Sequence, residues 1–169
     1  MTTKERHNGL VSTERAKEIV STHRFALNPD WDIYRPTKED STEQSVHFYA
    51  PLETDEGITE KAMIVSALFT FGKRTFRQKL HIKFEFNGKT EENFRRIIDL
   101  DSRLPLNQKG KESDKNWPHI HIGAEDCRPL PIEGNPTEID VPKHAKIFEE
   151  YAHITFKNKV LDPNELVLR

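Results

Sequence analysis

The sequence predicts one α+β domain over residues 1–169: an antiparallel β-meander of about five to six strands, packed by an N-terminal and a C-terminal helix on one face. Three observations predict it. The middle of the chain alternates apolar and polar residues with period two, the mark of strands with a core face. Each end carries a capped stretch of helical periodicity. A chain of 169 residues is long enough for one core but has only 34% hydrophobic residues, so that core must come from short, strongly apolar segments in which ten Phe supply much of the volume.

Residues 1–10 are expected to be a flexible terminus. Ser12 or Thr13 can cap a first helix with Ala16, Ile19 and Val20 on its apolar side, ending near His23. Residues 31–34 and 45–50 are β-prone and each is stopped by a proline, which suits a sheet edge. Residues 62–71 are apolar on both parities, as in a central strand covered on both sides. Residues 75–86 alternate, with Phe76, Leu80, Ile82, Phe84 and Phe86 facing the core and Arg77, Lys79, His81 and Lys83 facing away. Asn87-Gly88 is a hairpin signal. A strand over 94–101 returns with Phe94, Ile98 and Leu100 inward. Residues 102–117 form a long polar loop, of a length that is usually functional or disordered. Residues 119–123 are a further strand, and Asp140 caps a last helix over 141–157 whose packing stripe includes Tyr151 and Ile154.

Charge and cysteine content narrow the function classes. The net charge of −2 names no partner, but residues 73–115 hold twelve Lys and Arg against seven Asp and Glu, and the rest of the chain 14 against 21. A solvated strand face or a polyanion partner both account for that asymmetry. The lone Cys127 excludes an internal disulfide and fits a reducing compartment. No secretory signal is visible, and residues 62–71 are half the length a bilayer requires, so the expectation is a cytoplasmic protein with no membrane association. Compact size without a targeting signal also suits a phage or mobile-element accessory protein.

The chemistry concentrates in residues 95–128. Asp99-Leu-Asp101 and His119-Ile-His121 each set two polar residues around an aliphatic one. On a strand such pairs point to one face while the aliphatic neighbours anchor the other. Two imidazoles at i and i+2 reach one cation, and a carboxylate completes a mixed nitrogen and oxygen site for a divalent ion such as Zn, Mn or Mg. Asp99, Asp101 and Glu125 are the candidate carboxylates, although the intervening loop leaves the register of the two doublets open. The alternative is that both histidines are ordinary strand residues.

The His-Ile-His strand resembles the HUH class of single-strand nicking endonucleases, where such a pair binds a divalent metal and a tyrosine on a later helix attacks the phosphodiester. The resemblance implies a nucleophile at Tyr151. The chain departs from that pattern at Ile154 and Thr155, where a lysine is common. The spacing of His119, His121 and Glu125 is similar to the first cupin motif, but Ser113 stands where a glycine belongs. Each likeness covers about ten to thirty residues.

Two functions follow as expectations. One is a metal-dependent phosphodiesterase or nuclease, with the histidines and a carboxylate on the ion, Tyr151 or water as nucleophile, and Arg77, Lys79, Lys83, Arg95 and Arg96 binding nucleic acid. The other is a non-enzymatic interaction protein, a regulator, antitoxin or inhibitor, that binds a protein partner through its sheet face or long loop.

Overall fold

The computed structural model describes residues 9–34, 42–88, 95–106 and 117–167. Phe94, residues 107–116 of the expected 102–117 loop and residues 1–8 of the expected flexible terminus lie outside them. The strands are β1 (Arg24–Ala26), β2 (Asp32–Tyr34), β3 (Glu43–Thr54), β4 (Thr59–Gly72), β5 (Gln78–Phe86), β6 (Arg96–Leu104), β7 (His119–Ile122), β8 (Asp126–Pro129) and β9 (Ile154–Phe156). The helices are α1 (Thr13–Val20), α2 (Val141–Ala152) and α3 (Asn164–Val167).

This corrects the predicted five- to six-strand meander packed by two helices. All nine strands belong to one curled sheet of order β8-β7-β6-β5-β4-β3-β1-β9, with β2 also on β3. The sheet is mixed, because β1 pairs with β9 in parallel. Two of the added strands, β1 and β9, have only three residues, too few to show a period. β9 lies where the sequence predicts the end of the last helix. His153 takes a left-handed conformation at φ 54° and closes α2, and the chain then pairs Ile154 and Phe156 with Arg24 and Ala26. Ile154 is therefore a buried strand residue and not part of a helical stripe.

Register fixes which side chains meet. Val46, Phe48 and Ala50 of β3 face inward with Val65, Ala67 and Phe69 of β4, then Leu80, Ile82 and Phe84, then Ile98 and Leu100, then Ile120 and Ile122. The curl closes this face: the Arg24 guanidinium of β1 lies 5.6 Å from the Phe84 ring, three strands away, a span of about 14 Å if the sheet were flat. β4 lies between β3 and β5, yet it is fully covered on one side only, since Leu68 on the other side is exposed. Pro51 does not stop β3; it sits at a register shift, where a missing amide donor is tolerated. Phe76 is 80% exposed in the turn before β5, outside the alternation assigned to it.

The helices attach by specific polar contacts. Ser12 caps α1 through its side chain and the Arg15 amide. The start of α1 presses on the β7–β8 turn, where Gly123 adopts φ +64° and an added Cβ would stand 2.5 Å from Thr13 Cα. On α2, His144 donates from Nδ1 to the Asp140 carbonyl at 2.7 Å, which leaves Nε2 to accept from the Ser102 hydroxyl at 3.1 Å. Burial holds this imidazole below its ordinary pKa.

Two outcomes follow from these contacts. Gly123→Ala should cost about 2–4 kcal/mol in urea unfolding, the sum of a left-handed non-glycine residue and a forced separation of α1. His144 is neutral when folded, so the unfolded chain takes up its proton first. Its contribution is complete above about pH 6.5 and is lost as pH falls from there through the lowered folded value. Urea midpoints measured across that window should fall less steeply in His144→Gln than in the wild type.

Candidate metal centre

β7 has four residues, and its alternation decides the site. Ile120 and Ile122 enter the core, so His119 and His121 point outward. Asp101 lies directly opposite His119, and Asp99 opposite His121, on the neighbouring strand. The two doublets therefore share a face. On the other side Cys127 of β8 lies opposite His121.

The closest set of potential ligands among the described residues is His119, His121 and Cys127, whose donor atoms all lie within 4.8 Å of one another. His121 Nε2 is 3.9 Å from Cys127 Sγ, and the two imidazole rings meet edge to face with centroids 4.9 Å apart. Ligands of one tetrahedral ion stand about 3.3–3.8 Å apart, given bonds of about 2.0–2.3 Å. Side-chain rotations would have to close the difference when an ion binds.

The surroundings prepare these donors. His119 Nδ1 donates to the Trp117 carbonyl at 2.7 Å, which directs the Nε2 lone pair outward, and Trp117 is itself tied to the Leu130 carbonyl through its indole. A ring nitrogen engaged with a carbonyl is the usual support for a metal-binding histidine. Burial, reinforced by His119, lowers the pKa of His121 and keeps it neutral. Its Nδ1 is buried without a hydrogen-bond partner. Burial and the adjacent Asp126 raise the Cys127 thiol, so the thiolate needs a cation to displace its proton.

The predicted carboxylates are otherwise engaged. Asp99 is buried between His81 and Arg96, bonded to both. Burial pushes its carboxyl up, but the hydrogen bond and charge of His81 and the charge of Arg96 together hold it below the ordinary carboxylate value. Arg96 reaches it because β6 has a register shift beside Ile97, which turns Arg96 to the outer face. Asp101 is half-buried with one oxygen 3.4 Å from Arg103. Glu125 caps α1, accepting from the Thr13 amide at 2.7 Å.

Tyr151 is not brought to the histidines. It lies half-buried on α2, under the Arg128 guanidinium at 5.6 Å, and Arg128 pairs with inward-facing Ile120. The sheet separates it from His119 and His121. Lys79 and Lys83 share the outer face with the histidines. Arg77 and Arg95 stand at opposite ends of β5, Arg95 reaching the Phe86 carbonyl at 3.5 Å, so the five cations form no continuous stripe.

Sequence reasoning missed Cys127 as a ligand and Arg103, which faces outward opposite Lys79. A usable signal for Cys127 existed: the Gly123 turn closes a hairpin that puts it across from His121. No protein-family model, no curated protein and no solved structure matches this chain. Among the described residues no helix is long and apolar enough to cross a membrane.

The division between ligands and ion pair is testable. Asp99→Ala should destabilise the fold by about 1–3 kcal/mol, because His81 and Arg96 lose their acceptor, while the number of metal ions bound per chain stays that of the wild type by elemental analysis.

Proposed function

We propose that this chain binds one borderline-soft divalent ion, zinc foremost, through His119, His121 and Cys127. The observation that carries the reading is the convergence of two imidazoles and a thiol within 4.8 Å on one sheet face. Two nitrogens and a sulfur favour zinc over the magnesium and manganese that an oxygen-rich site would select. Three protein ligands leave a fourth position for water or substrate, the pattern of a reactive zinc rather than a closed structural one.

The activity we infer for that position is hydrolysis of a phosphodiester in nucleic acid. An ion there lowers the pKa of bound water and polarises a phosphoryl oxygen. Lys79, Lys83 and Arg103 on the same face would hold the phosphates. Tyr151 has no part in it, and water is the nucleophile. A thiolate ligand also fits a reducing compartment, and we place the protein in the cytoplasm. The competing reading is an interaction protein, favoured by Tyr49 and Leu68, large apolar side chains exposed on this outer face.

Protein purified without a histidine tag should hold close to one zinc per chain. Cobalt in its place should give a thiolate charge-transfer band that Cys127→Ser removes, and His119→Ala with His121→Ala should abolish binding. Cleavage of single-strand or duplex oligonucleotides should depend on the metal and disappear with chelator. Metal without cleavage refutes the hydrolase and keeps the metal site; a chain that takes up neither zinc nor cobalt leaves only the interaction protein.

A further inference from the structure

On the inner side of β6, away from the histidines, the chain leaves a cavity of about 120 Å³ between β6, α2 and the proline-rich segment 131–139. Part of its wall is apolar: Leu104, Ile132, Pro136, Ile139 and Ile147. Ser102 and His144 also line it, only 1% and 4% exposed. Polar side chains at such a place need partners, and the pair supplies most of its own.

Hydrogen accounting shows what is left over. The Asp140 carbonyl can only accept, so His144 Nδ1 carries the proton and Nε2 is a lone pair. The Ser102 hydroxyl spends its one hydrogen on that lone pair. Ser102 Oγ then retains acceptor capacity beside the aliphatic part of the wall, with no donor of its own to offer. The charged groups at the lining are Glu133, Glu138 and Asp140 against Lys143, an excess of carboxylates that disfavours anions.

We propose that this cavity binds a small, compact apolar molecule bearing one hydrogen-bond donor, a phenol-like alcohol, with its ring among the aliphatic walls and its hydroxyl donating to Ser102 Oγ. A closed cavity of about 150 Å³ holds a benzene ring, and the pocket here, about 120 Å³ and open to solvent on one side, is close to that size. The chemistry discriminates sharply. An apolar void accepts toluene and rejects phenol, because the hydroxyl would leave water for no partner; a cavity with a waiting acceptor admits phenol.

The test uses the isosteric pair phenol and toluene, with benzoate as the anion, followed by amide and side-chain NMR shifts of Ser102, Ile139 and His144. Wild-type protein should bind phenol at least as tightly as toluene and should not bind benzoate. Ser102→Ala should weaken phenol about tenfold relative to toluene, the loss of one hydrogen bond. Toluene binding without phenol binding, no cavity shifts with either, or a phenol-to-toluene ratio untouched by Ser102→Ala would each overturn the proposal. If Ser102→Ala does not fold, the wild-type comparison decides alone.

Discussion

The strict one-sidedness of the sheet is the constraint on which everything else depends. Because the curl packs Phe48, Phe69 and Phe84 into one face with the buried residues of α1 and α2, every polar residue of alternate parity is forced outward. A slip of one residue would put the histidines of β7 into the core and Ile120 and Ile122 into water. That exchange buries imidazoles and exposes aliphatic groups, an expense of several kcal/mol. The core therefore holds the metal-ligand geometry in place without touching it.

The ion pairs of β6 serve the same end from the outer side. Asp99 lies between the Arg96 guanidinium and the His81 imidazole and opposite His121, so both of its carboxylate oxygens are already engaged. Had it been free, it would have competed for the ion as a hard oxygen ligand. Committed as it is, it leaves the nitrogen and sulfur donors to set metal preference. Glu125 is removed from the competition by a different route. The close approach that Gly123 permits brings the α1 N-terminus to it, and the helix takes the carboxylate as a cap.

How far the sequence could reveal this follows from which interactions are local. The pairing of Asp99 with Asp101, and of His119 with His121, is a two-residue property, visible in any strand. That the pairs share a face depends on register across the 17 residues between Asp101 and His119, which no local pattern specifies. The switch from carboxylate to thiol needs the β7–β8 hairpin, and the fate of Tyr151 needs the packing side of α2; both are set by contacts between distant segments. The short strands β1 and β9 are the same case. Ile154-Thr155-Phe156 falls within the bounds of the predicted last helix, and only the left-handed His153 and a partner strand some 130 residues away make it β. Phe76 failed for the opposite reason, a local turn at φ 55° overriding an apolar alternation.

β6 lies between the two candidate sites: Asp99 and Asp101 face outward opposite the histidines of β7, and Ser102 faces inward to the pocket. Adjacent residues on a strand are as near as residues can be, yet their side chains stand on opposite sides of a hydrogen-bonded layer. Coupling between the faces would have to pass through movement of the strand itself. β6 is held on both sides, by β5 along most of its length and by β7 at Ile98 to Asp101, and packed cores of this kind resist graded deformation. Residues without shared partners contribute to stability and binding nearly independently. Ser102 and His121 have no common partner among the contacts described. Occupation of the inner cavity and of the metal site should consequently be additive, and a single sheet can present two separate chemistries without either one governing the other.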